Sequence, residues 1–136
     1  MIRTEQPLSA LPAAQVQQLL FVGRGLNFQS TADQALTRVF AGTSYIVTNV
    51  IAVRKAGGAT VSVLGGIYTA AAKGGSAVVG AVQSWIGLSG AGKATTATLA
   101  ALALTDVLSS DLTLSLTTGS TGAVTADVFV YGVVVD

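Results

Sequence analysis

The sequence predicts an all-β chain, a jelly-roll-like antiparallel β-sandwich over residues 23–136 preceded by an N-terminal arm or short helix over 1–22. Three observations predict it. The composition is small and apolar: 51% hydrophobic with 16 glycines, but only 10% charged where an average soluble protein has about a quarter. Residues 111–118, DLTLSLTT, alternate Leu112, Leu114 and Leu116 with Thr113, Ser115 and Thr117, the period-two pattern of a strand with one buried face. Paired glycines at 57–58, 65–66 and 74–75 punctuate runs of Val, Ile, Thr and Tyr, residues that fit pleated strands. A length of 136 residues suits one domain with a sizeable core.

Residues 1–12 read as an extended arm punctuated by Pro7 and Pro12. In 13–22, AAQVQQLLFV, Val16, Leu19 and Leu20 recur at i, i+3 and i+4, the spacing of one helical face. Residues 23–34 read as turn, since Gly23 and Gly25 permit backbone conformations closed to other residues. Strands are expected over 37–41 and 44–56, the second turning as a hairpin at Gly57-Gly58 into a strand over 59–72. Within that strand Gly65-Gly66 marks a bulge or bend. Another strand is expected in 74–85. Residues 93–108 are divided: Leu99, Leu102 and Ala103 suit a helix, whereas Thr95, Thr96 and Thr98 suit a strand. After 111–118, GSTG at 119–122 turns the chain into AVTADVFVYGVVVD, apolar on both faces near its end and expected to lie between layers.

The longest uncharged run, 74–92, nearly matches a bilayer in length, but its many Gly and Ser residues make a poor transmembrane helix. The first residues, with Arg3 and Glu5, lack the apolar stretch of a secretory signal. A soluble protein is expected, with no membrane partner. A mean hydropathy of +0.67 with so little charge points instead to outer surface buried on protein partners.

The residue inventory narrows the chemistry. The chain has no His and no Cys, which removes the commonest general base, the commonest metal ligand and all thiolate chemistry. A net charge of +1 with scattered Lys and Arg gives no phosphate-tracking stripe, so no nucleic-acid partner is expected. The acids Glu5, Asp33, Asp106, Asp111, Asp127 and Asp136 are dispersed, and neither metal nor cofactor is expected.

One stretch imitates a nucleotide site. GLSGAGKATT, 87–96, has the glycine and lysine spacing of a phosphate-binding P-loop, but Ala94 replaces the hydroxyl residue that binds Mg²⁺. Only 44 residues follow Gly92 (136 minus 92), too few for the further strand–helix units of the fold that uses that motif. Lys93 then reads as a charge on an exposed loop. Asp127 lies inside a strand, facing solvent or a partner or paired with an arginine, for which Arg54 is the candidate mate. Tyr68 and Trp85, with Tyr45 and Tyr131, suit anchors of a core or subunit interface, and less well a sugar-stacking surface. The interface candidates are therefore Tyr68, Trp85, Arg54, Asp127 and Lys93.

Three stretches, GRGLNFQSTADQALT (23–37), GGIYTAAAKGGSAVVG (65–80) and LSLTTGSTGAVTADVFVYG (114–132), resemble the small cement or decoration proteins of tailed bacteriophages. The resemblance spans about the last four-fifths of the chain, and the Val-rich tail after Gly132 matches no pattern in it. It implies a jelly-roll β-sandwich on the virion, on the capsid exterior, without catalytic activity or cofactor. Its implied partners are the major capsid protein and further copies of itself; between dimer and trimer, the isologous dimer is favoured as the commoner closed form. The segment before Gly23 would be an arm reaching a neighbour. The alternative is a receptor- or carbohydrate-binding jelly roll of a head or tail fibre.

Overall fold

The computed structural model describes residues 17–57, 63–89, 93–100 and 107–135. Among these, the β-branched and alternating runs form strands β1 (Gln17–Asn27), β2 (Gln34–Ala35), β3 (Thr37–Arg38), β4 (Tyr45–Gly57), β5 (Leu64–Tyr68), β6 (Ala77–Val79), β7 (Ala94–Thr96), β8 (Thr113–Thr118) and β9 (Val124–Val134), with one 3₁₀ turn at Ile86–Leu88. They make two antiparallel sheets, ordered β3-β1-β9-β4-β7 and β2-β8-β5-β6. The chain is an all-β sandwich.

The winding follows from nested pairing. With β2 and β3 taken as halves of one strand, β1 pairs with β9, β2 with β8, β4 with β7 and β5 with β6. These pairs form a ribbon that wraps around the core, which is the double-sheet jelly roll. Each residue of the DLTLSLTT alternation behaves as the period demands on its apolar side: Leu112, Leu114 and Leu116 are fully buried. From the facing sheet, Val47, Val50, Ala52, Val128 and Val130 meet them in one core. Trp85 and Phe28 pack edge to face at 5.5 Å inside it, and the indole N–H donates to the Gly65 carbonyl at 3.1 Å.

Both lateral edges are closed by a segment that changes sheets. On one side the chain leaves β8 at Ala35 and joins β1 at Thr37, pivoting on buried Leu36, whose N–H donates to the Leu112 carbonyl. On the other, β7 leaves β4 at Thr96 and pivots on buried Ala97, and Leu99 and Ala100 then bond to Val79 and Val78 of β6. Beyond β3, the Gln34 side chain accepts from the Asn27 N–H at 2.7 Å and donates to its carbonyl at 2.8 Å, so an amide side chain caps that stretch of the β1 edge. Such closure removes exposed strand edges where chains would otherwise add to one another.

Arg38 locks one end of the roll. Its guanidinium lies over Phe21, Phe40 and Tyr45 at 5.4, 4.9 and 5.8 Å, three rings that pack edge to face among themselves. It also donates to Asp111 at 2.9 Å and to the carbonyls of Ser109, Gly42 and Thr43. Burial, foremost, pushes the Tyr45 hydroxyl far above its usual range, and that hydroxyl donates to the Ser110 carbonyl.

Several local expectations are corrected. Residues 17–22 form a strand instead of a helix, because Leu20 is a bulge residue that puts consecutive apolar residues on both strand faces. Residues 1–16, with the expected extended arm over 1–12, lie outside the described residues. Gly23 and Gly25 interrupt β1 as a second irregularity without ending it, and the strand runs to Asn27. The 37–41 strand is only Thr37–Arg38. No β4–β5 hairpin forms at Gly57, since β4 and β5 belong to different sheets. The Gly65 bend is present as a register shift after Leu64. Residues 94–96 resolve the divided stretch as strand, while 101–106 lie outside the described residues. No helix among the described residues is long and apolar enough to cross a membrane.

Two substitutions test this packing. A Cβ at Gly132 would lie 2.0 Å from the Ile46 carbonyl oxygen and 2.7 Å from Leu20 Cδ1. Gly132→Ala is expected to cost about 1–3 kcal/mol in urea unfolding, as overpacking of a closed site does; an unchanged midpoint would contradict the packing. Arg38→Ala should cost on the order of 1–3 kcal/mol, because it removes the hydrogen bonds to Asp111 and to three loop carbonyls and uncovers three rings. Arg38→Lys should recover little of this, since an ammonium cannot span the same acceptors.

Candidate functional site

Strand β9 is apolar on both sides, but its two sides meet different surroundings. Val124, Ala126, Val128, Val130 and Val134 face the core, whereas Phe129, Tyr131 and Val133 face outward and are half-buried. This corrects the expectation that the Val-rich end lies between layers: only one side does. Among the described residues no strand or helical turn covers the outward side.

Register assembles the outer face in rows. Val133 aligns with Gln17 and Ile46, Tyr131 with Leu19 and Asn49, and Phe129 with Val22 and Ile51. Thr37 and Thr96 extend the Phe129 row onto the edge strands. These rows carry no charged side chain. A groove of about 510 Å³ continues the face past β1 onto β3, lined by Leu19, Val22, Leu26, Thr37 and Val39 with Arg24 beside them.

The charges collect at one end. Asp127, aligned with Val53, accepts from the Gly25 N–H at 2.8 Å, and its carboxylate lies 3.5 Å from Arg24 and 3.9 Å from Lys55. The Arg24 guanidinium also lies 5.7 Å from the centre of the Phe129 ring, joining this cluster to the apolar rows. The glycine at 25, with φ of +59°, turns its N–H toward the carboxylate in the β1 irregularity.

The residues singled out in the sequence are distributed as follows. Asp127 is at the end of the outer face, but its cations are Arg24 and Lys55. Arg54 aligns with Ala126, and strand alternation puts it on the opposite side of the sheet from Asp127. Lys93 is exposed at the start of β7, its carbonyl accepting the Arg54 N–H at 2.9 Å. Trp85 is wholly enclosed and Tyr68 nearly so, and burial raises the Tyr68 hydroxyl pKa. Neither ring presents a face to a partner of this fold. Ala94–Thr96 after Lys93 is strand, where a P-loop lysine would be followed by a helix; residues 90–92 lie outside the described residues.

A second polar cluster lies on the outside of the four-stranded sheet. Asp33 accepts from the Ala72 N–H at 2.7 Å and from the Ser115 hydroxyl, and the Lys73 ammonium is 3.1 Å from Ser115 Oγ. Ala72 and Lys73 both adopt the left-handed conformation, at φ of 56° and 60°, which side chains disfavour. The cluster holds that strained turn, and Ser115 within it is closed to solvent. The outer-face residues missed in the sequence, Val22, Ile51 and Phe129, become a set only through pairings between distant strands.

No family model matches the chain, and searches of the curated proteins and of the solved structures return no match.

The Ala72 hydrogen bond first, then Ser115 and Lys73, hold the Asp33 carboxyl below its ordinary pKa of 3.8. Its contribution to stability is therefore present above the unfolded-state value and lost as pH falls through the lower folded-state value. Asp33→Asn should be less stable than wild type at neutral pH, with the gap closing in strong acid. A gap that stays constant across the acid limb would contradict this assignment.

Proposed function

We propose that this chain is a structural protein of a tailed bacteriophage that coats the outside of the capsid, bound to the major capsid protein and to its own copies. The observation that carries the reading is the outer face of the five-stranded sheet: three apolar rows free of charge on a rigid, edge-closed sandwich. A binding protein of this kind works by burying surface on its neighbours, and repetition over a symmetric shell multiplies modest contacts into firm attachment. The resemblance in 23–37, 65–80 and 114–132 supports the shell and further copies of the chain as those neighbours.

The carbohydrate-binding alternative is weakened by two burials. Of the aromatic platforms it would use, Trp85 is enclosed in the core, and Tyr68, on the outside of the four-stranded sheet, is nearly closed to solvent. Tyr131 and Phe129 remain on the outer face, but they stand in rows of Leu, Val and Ile that suit a protein surface better than a sugar.

Quantitative mass spectrometry of purified particles of the phage that encodes the chain tests the reading. A copy number comparable to that of the major capsid protein is expected, with the purified chain co-sedimenting with emptied shells. Absence from the particles, or only a handful of copies, would overturn it.

A further inference from the structure

We infer that the outer face of the five-stranded sheet is a self-interface: two copies pack face to face through the rows of Val133, Tyr131 and Phe129, around a two-fold axis that crosses the strands. The inference deepens the coat-protein reading by naming the occupant of this face.

Size is the first reason. The Val133 and Tyr131 rows span three strands, the Phe129 row five and the Asp127 row four. With strands about 4.8 Å apart and rows about 6.6 Å apart, the patch is on the order of 450–500 Å². Two such patches come to about 950 Å² in total, and the adjoining groove brings them to the size of a weak, reversible interface of roughly 1,000–1,200 Å². Stacked sheets bury alternate side chains in a layer about 10 Å thick, and the outward residues of β1, β9 and β4 are spaced for that.

Charge is the second reason, and it selects the geometry. Arg24, Lys55 and Asp127 leave one net positive charge (two cations less one carboxylate) at one end of the patch. Among the described residues the opposite end, Gln17, Val133, Ile46 and Thr48, carries no charge, and there Thr48 donates to the Gln17 side chain at 2.6 Å. An axis crossing the strands near Val130 sets each charged cluster over the partner's uncharged end. The two clusters are then about 20 Å apart, beyond a Debye length of roughly 8–10 Å. An axis along the strands would instead stack like charges. Tyr131 and Asn49, near the chosen axis, supply hydrogen-bonding groups at the centre, where a tyrosine anchor contributes most.

Sedimentation equilibrium of the full chain tests this. The expected mass is twice the protomer's 13.5 kDa, falling to one protomer on dilution through the micromolar range. Ile51→Lys should remain a monomer with an unchanged circular dichroism spectrum, while Val82→Lys, on an exposed turn elsewhere, should dimerise as wild type does. Because the chain has no native cysteine, Asn49→Cys gives a second readout at a polar position: a short bis-maleimide should join it to its partner copy and should not join Val82→Cys. A full chain that stays monomeric at high concentration, a folded Ile51→Lys dimer, or equal cross-linking at both cysteines would overturn the self-interface. A monomer that still co-sediments with shells would overturn it while leaving the coat-protein reading standing.

Discussion

Strand β9 lies between β1 and β4 along its whole length, and that position dictates its composition. A central strand must give every backbone group to a neighbour and fill the core on its inner side, which accounts for Val124, Ala126, Val128, Val130 and Val134. It has no room for bulk at Gly132, where the Ile46 carbonyl passes close. On its other side, ordinary solvent contact would call for polar residues in alternation. Phe129, Tyr131 and Val133 stand there instead. This placement of the most apolar outward residues on the most central strand is the observation on which the proposed interface rests.

The scarcity of charge acquires a meaning from where the charges are. Each of the three acids among the described residues is engaged: Asp127 by Arg24, Lys55 and a backbone N–H, Asp111 by Arg38, and Asp33 by Ala72 and Ser115. They fasten the places where the roll is irregular, namely the break in β1, the loops beside Phe40 and the left-handed turn at Ala72–Lys73. The three outer-face rows of Val133, Tyr131 and Phe129 carry no charged side chain. Partly exposed ion pairs of this kind contribute little stability singly, so their value lies in fixing loops that apolar packing does not reach.

How much of this was legible in the sequence depends on the range of the interaction. The alternation of Leu112, Leu114 and Leu116 is a local property of one strand, and it read correctly. The sandwich class followed from residue size and branching. The pairings did not, because the roll joins β1 to β9 and β2 to β8 across most of the chain, and a sequence displays hairpin turns more readily than such contacts. The 17–22 segment misled for a related reason: a bulge at Leu20 puts consecutive apolar residues on both strand faces, and the same spacing fits a helix. Asp127 was recognisable as unusual from its place within a strand, but its cations were not, since alternation removes Arg54 to the far side and a bulge in β1 brings Arg24 in. Trp85 and Tyr68 stood out as large rings, and nothing local distinguishes a ring that anchors a core from one that meets a partner.

The central claim is that the outer face of the five-stranded sheet is buried when the protein is at work. Hydroxyl-radical footprinting of the chain, dilute in solution and then with the emptied shells that the proposed function assigns as its support, measures this side chain by side chain. Phe129 and Tyr131 should be oxidised in the dilute protein and protected on assembly, while Trp85 and Tyr45, already enclosed, stay unreactive in both states. Equal oxidation of Phe129 and Tyr131 in the two states would contradict the account.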